Sequence, residues 1–200
     1  SVLERESELG LAHFAEHMAF NGTENFEKQE LVDYLESIGM RFGPDVNAYT
    51  SFDETVYMLT VPTDSMEVVT TAFQILQDWA QGVSFEAEEI DKERGVVIEE
   101  WRLGRGADQR MFDEQLPVIL HASRYADRLP IGTVANLESF GHDTLRAFYQ
   151  RWYRPDLMSV IAVGDLEPDV VDSLVRAHFA DLRAPAESAD RTYYPVPDHA

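Results

Sequence analysis

The chain contains no cysteine. Disulfides, cysteine-ligated zinc and thiol catalysis are excluded by that alone, while the compartment stays open. Cations are scarce: 16 Lys and Arg stand against 37 Asp and Glu, a formal net charge of −21. Phosphate backbones are held by clustered cations, so this balance argues against a nucleic-acid partner. Solubility is the plain consequence of such a surface, and long-range attraction of cationic ligands is a second one. No apolar run reaches the roughly 20 residues of a membrane helix. A secretory signal pattern is also missing. The opening residues Ser1-Val2-Leu3-Glu4 lack an initiator Met and look cut, which leaves both a removed signal peptide and a missing upstream segment open. What remains is 200 residues that are 44% hydrophobic, enough for one domain with a core.

The most informative stretch is His13-Phe14-Ala15-Glu16-His17. Residues i and i+4 share a helix face, and so do i and i+3. His13 and His17 can therefore approach one metal ion, with Glu16 beside them. Imidazole suits zinc, and a catalytic zinc keeps a position open for water. The order H-x-x-E-H reverses the thermolysin-like H-E-x-x-H. Leu9, Leu11, Ala12, Phe14, Ala15, Met18, Ala19 and Phe20 surround the motif with apolar groups. Unpaired charges are seldom left in such surroundings, which favours a metal over a solvated surface helix.

Periodicity and punctuation divide the chain into helices and a few strands. Helices are expected over Gly10 to Phe20, Lys28 to Ile38 (stopped by Gly39), and from an Asp64 or Ser65 cap to Gln81. Met66, Val69, Phe73, Leu76 and Ala80 supply the core stripe of the third. Ser84 is expected to cap a helix from Glu86 to Leu103. Further helices follow over Gln109 to His121, with Pro117 as a possible break, over Leu137 to Tyr153, and over Pro168 to Phe179. Strands are expected within Arg41 to Thr50, at Thr55 to Val61, and at Leu157 to Val163. About three strands are too few for so many helices, so an upstream segment is expected to carry the missing ones. Residues 1–183 read as the domain, and 184–200 as a tail or linker.

A catalytic zinc usually takes three protein ligands. The acidic helix offers Glu86, Glu88, Glu89, Asp91, Glu93, Glu99 and Glu100, most of which belong to a solvated face. Glu86 and Glu93 lie seven residues apart on one face, and Glu93 precedes the apolar Gly95-Val96-Val97-Ile98. Spacing alone does not choose among them.

His13-Phe-Ala-Glu-His-Met-Ala-Phe-Asn-Gly-Thr23 resembles the signature of the pitrilysin/insulinase metallopeptidases, the inverzincins, which include the mitochondrial processing peptidase. Leu35 to Gly43, Asn47 to Ser51, Tyr125 to Thr133 and Phe148 to Pro155 are similar to bacterial insulinase-family zinc proteases. The resemblance implies one zinc per chain, with a Glu 76 or 77 residues beyond the second His as third ligand. Glu93 stands 76 beyond His17. It also implies Glu86 as the carboxylate behind a ligand ring, Glu16 as general base, and Asn47 and Ala48 at the end of an edge strand that holds substrate. The implied fold is α+β, a mainly antiparallel sheet with helices packed on it, forming one pitrilysin-type half-domain without its first strands. The implied activity is zinc-dependent endopeptidase action on peptides or small unfolded proteins. Partners would be peptide substrates and a second homologous domain, a partner subunit or another copy, with a periplasmic home favoured over a cytoplasmic one. The alternative is a peptide-binding scaffold of the same fold, or a fragment inactive without its partner domain. Arg128, Tyr153 and Arg154 read as structural. His121, His142, His178 and His199 lack ligand-like spacing.

Overall fold

The computed structural model describes residues 1–186 and 189–198. Parts of the expected tail (Glu187, Ser188, His199 and Ala200) lie outside the described residues. The elements are helices α1 (Leu11–Met18) and α2 (Lys28–Ser37), and strands β1 (Val46–Thr50) and β2 (Thr55–Leu59). Six helices follow: α3 (Met66–Gln81), α4 (Ala87–Leu103), α5 (Ala107–Ile119), α6 (Val134–Ser139), α7 (His142–Trp152) and α8 (Pro168–Phe179). The sheet is one antiparallel hairpin, with Asn47 opposite Met58 and Ala48 opposite Tyr57. The class is thus α+β, with helices dominating a small antiparallel sheet.

Helix α1 is the centre of the packing. Leu11, Ala12, Phe14, Ala15 and Met18 are all buried. They join Ile90 and Val97 of α4, Leu137 of α6, and Leu145, Phe148 and Tyr149 of α7 in one apolar cluster. A second cluster begins at Ala19, just past the helix, and gathers Leu31, Leu35, Met40, Val46, Ile75 and Trp79. A fully buried side chain of this size contributes about 1.5–3 kcal/mol. Helix α1 is therefore held along its length by the first cluster and just past its C-terminus by the second.

Its N-terminus is fixed by a close approach. Gly10 (φ +96°) lies against Gly132 (φ +70°), and a Cβ on Gly132 would come within 2.5 Å of the Leu9 carbonyl. Only glycine fits that contact and that backbone conformation. The buried Glu4 carboxyl accepts the backbone N–H groups of Gly10 and Ala12 at the N-terminal end of α1, while burial pushes its pKa up to about 7. Arg128 is buried beneath this turn and donates to the Glu4 carbonyl, as a structural residue would.

Several sequence expectations shift in detail. Ser65 caps α3, its hydroxyl accepting from Val68 N–H. Helix α4 is capped at Glu86 rather than Ser84, whose hydroxyl donates instead to the Gly22 carbonyl. Pro117 lies inside the last turns of α5 without breaking it. The single helix expected over Leu137 to Tyr153 is two, α6 and α7, broken at Phe140-Gly141. There the Arg94 guanidinium donates to the carbonyls of Leu137 and Phe140 and covers the Phe140 ring. The expected strand over Leu157 to Val163 is not formed among the described residues. A strand needs a neighbour for its backbone groups, and the only described sheet is the β1–β2 hairpin. Ile161 and Val163 are 83% and 95% exposed.

Candidate metal centre

Two helices and one strand build the site. Helix α1 turns His13 and His17 to the face that its apolar residues leave free. Their rings stand edge to face with centroids 4.7 Å apart. Helix α4 packs alongside α1 through Ile90 and Val97, which brings its C-terminal half to the same face. Strand β1 runs past Glu16 on the other side.

The three groups that converge are His13, His17 and Glu100. Their ligand-type atoms all lie within 4.8 Å of one another. Glu100 Oε2 is 3.2 Å from His17 Nε2, and Oε1 is 3.7 Å from His13 Nε2. Ligands bound at about 2.0–2.2 Å in a tetrahedron sit roughly 3.3–3.6 Å apart. The donor set suits zinc in its chemistry, and the His17–Glu100 and His13–Glu100 separations lie close to that spacing. Behind it, Nδ1 of His17 meets Oε1 of Glu93 at 2.8 Å. A carboxylate on the far nitrogen fixes the tautomer and orientation of a ligating imidazole.

These positions differ from the sequence assignment by one step of seven residues. Glu93, expected as the third ligand, stands behind the His17 ring. Glu86, expected in that backing role, is exposed at the start of α4 and does not reach the site. Glu86, Glu93 and Glu100 all share one helix face, because seven residues make nearly two turns. Only the packing of α1 against the C-terminal half of α4 selects among them. Glu100 stood among the acidic candidates, but the spacing carried nothing to single it out. Asn21 and Thr50 were missed altogether, since their role depends on contacts remote in sequence.

The electrostatics are uneven. Burial, with the neighbouring His17 charge adding to it, holds the His13 pKa down to about 4. For His17, burial also disfavours the charged ring. Hydrogen bonds and charge from Glu100 and Glu93 outweigh it and raise the pKa to about 9. Glu100 is held below the ordinary carboxylate range, chiefly by its hydrogen bond to His17. Glu16 is nearly buried, and burial pushes its carboxyl up against the pull of a hydrogen bond from the Thr50 hydroxyl.

An open cleft of about 790 Å³ runs across this face. His13, Glu16, His17 and Glu100 border it together with Ala48, Tyr49 and Thr50 of β1. Among the described residues β1 shares a sheet only with β2, apart from a single bridge of Val46 to Phe42. Trp101, Phe112, Leu116 and Ile131 form its apolar far wall. Asn47 is exposed on β1, its side-chain oxygen accepting the Ala48 N–H.

The fold and this cleft have counterparts. A family model described as Insulinase (Peptidase family M16) matches residues 1–129, and one described as Peptidase M16 inactive domain matches residues 139–200. The chain belongs to the insulinase family of zinc proteases, peptidase family M16. It is 43% identical to the "Zinc protease PQQL-like" of Arabidopsis thaliana, over 100% of this chain and 21% of that protein. Identity to the "Probable zinc protease PqqL" of Escherichia coli is 40%, over 96% of this chain and 21% of that one. The crystal structure of the first half of the periplasmic protease PqqL from Escherichia coli matches with a TM-score of 0.94 at 39% identity. That match covers 100% of this chain and 42% of the other. The chain thus spans about a fifth of the length of these two curated relatives. Among the described residues, no helix is long and apolar enough to cross a membrane.

Proposed function

We propose that the chain is the metal-bearing part of a zinc endopeptidase, with His13, His17 and Glu100 as ligands and Glu16 as general base. The observation that carries this reading is the convergence of two imidazole Nε2 atoms and one carboxylate within 4.8 Å, beside a nearly buried Glu16. Zinc, when bound, polarises a scissile carbonyl and acidifies a water. Glu16 takes the proton of the attacking water and passes it to the leaving amine. Burial raises its pKa above the ordinary carboxylate value, which makes it a stronger proton acceptor. The Thr50 hydroxyl holds one of its oxygens. Glu93 holds the His17 ring from behind.

Substrate would lie along β1. An extended peptide can add to an open strand edge, main-chain hydrogen bonds giving affinity with little sequence preference. Ala48 and its neighbours border the cleft on that side, and Asn47 is the second residue of β1, near the start of the strand rather than at its end. Peptides or small unfolded proteins are the substrates that suit an edge of this kind. The apolar far wall would take a side chain of the peptide.

The chain's small share of its relatives supports a companion reading. Residues 1–183 would hold the metal, and 184–200 would lead toward a second homologous domain or partner needed for turnover. A periplasmic setting is favoured by the relative described as periplasmic. The test combines metal analysis with a quenched fluorescent peptide. Glu16→Gln is expected to keep about one zinc per chain and lose hydrolysis by at least 100-fold. Glu100→Gln is expected to lose zinc, and Glu86→Gln to change neither. Wild-type cleavage rates in Glu16→Gln would sink the mechanism. Full zinc loading in Glu100→Gln would sink the ligand set.

A further inference from the structure

Asn21 lies just beyond the C-terminal end of α1 and is only 6% exposed. Its side-chain amide has two N–H bonds, and both find acceptors. One donates to the main-chain carbonyl of His17 at 3.0 Å. The other donates to Oε2 of Glu93 at 2.9 Å. The remaining Glu93 oxygen, Oε1, meets Nδ1 of His17 at 2.8 Å. A closed circuit results, from the backbone of His17 through Asn21 and Glu93 back to the ring of the same histidine.

Each link has a physical consequence. A carboxylate held at one oxygen can turn about its terminal bond. The Asn21 amide holds the second oxygen and removes that freedom. Fixed in this way, Glu93 determines which nitrogen of the His17 ring carries a hydrogen and where Nε2 points. The bond to the His17 carbonyl ties the orienting group to the helix that carries the ligand, so ring and backing move together. His13 supplies a contrast: its Nδ1 is buried with no hydrogen-bond partner among the described residues. Orientation of the histidine pair is therefore carried on the His17 side.

We propose that Asn21 is a positioning residue of the metal centre, acting through Glu93 to hold His17 in its ligating orientation. The inference rests on the ligand set of the preceding section. A neutral group with two donors is what the position requires. Leucine would leave Oε2 of Glu93 buried without its donor and take one of two donors from the His17 carbonyl, which keeps the Phe20 N–H. Aspartate would set a second carboxylate against Glu93.

The test measures zinc affinity of the full chain by competition with a chromophoric chelator, in a double-mutant cycle. Glu93→Gln should weaken zinc binding by about 10–100-fold, as loss of a ligand's direct partner does. Asn21→Leu should weaken it by a smaller factor, about 3–10-fold. Added to Glu93→Gln, Asn21→Leu should cost no further affinity, and the visible absorption of bound cobalt(II) in Asn21→Leu should move toward that of Glu93→Gln. Asn21→Ser, too short to span both acceptors, reads the same coupling if Asn21→Leu does not fold. Unchanged affinity, or an equal loss in both backgrounds, overturns the proposal, because a merely structural asparagine would not act through Glu93. No zinc binding by the wild-type chain would instead bring down the ligand set, and this inference with it.

Discussion

Helix α1 and the segment from Leu157 to Val163 are both short and apolar, and they meet opposite fates. In α1, Phe14, Ala15 and Met18 are fully buried, and the helix becomes the hub of the core. In the other segment, Ile161 and Val163 stand almost fully in solvent, and no strand pairing forms among the described residues. A helix closes its backbone hydrogen bonds within itself and asks of the rest of the fold only a surface to pack on. A strand must find its hydrogen bonds on another segment. Apolar sequence is thus sufficient for the first element and insufficient for the second.

Substitutions on the two sides should separate them clearly. The largest effect is expected for Phe14→Ala, which empties a fully enclosed site in α1 and should cost about 3–5 kcal/mol in urea unfolding. A loss below about 1 kcal/mol would mean that α1 is not the hub. Next comes Gly132→Ala. It forces an alanine into a left-handed backbone against the Leu9 carbonyl and should cost about 2 kcal/mol. Zinc affinity should fall with it, because Gly132 presses on the start of the helix that carries both histidines. If Tm and zinc affinity both stay at wild-type values, that contact does not position the motif. The smallest effect belongs to Val163→Ala, expected within about 0.5 kcal/mol of wild type. A loss of 2 kcal/mol there would show that the segment is buried in solution and erase the contrast.

The same difference governs what could be read in advance. The helices carry their own punctuation. Ser65 caps α3, Gly39 follows α2, and Pro168 opens α8, so these elements are legible from a few residues each. The α6–α7 break was not, because Arg94 reaches it from another helix. At the site, His13, Glu16 and His17 are legible because one helical turn sets their spacing. The third carboxylate is not. Glu86, Glu93 and Glu100 repeat every seven residues on one face of α4, and nothing local marks which of them meets α1. The resemblance implied Glu93; in the structure it is Glu100 that lies with the two histidines, one repeat further on, while Glu93 meets Nδ1 of His17.

Sequence alone therefore determined the local half of this protein: its helices, the H-x-x-E-H turn, its anionic character and the family its motifs resemble. These follow from short-range geometry, where side chains three, four or seven residues apart keep a fixed relation whatever surrounds them. The tertiary structure decided which carboxylate faces the two Nε2 atoms and which one backs His17. It also brought Asn21 against Glu93 and Thr50 against Glu16, and left Leu157 to Val163 without a described strand. Those outcomes depend on how α1 lies across α4 and β1, a relation set by burial of both core clusters together and by no single segment of the chain.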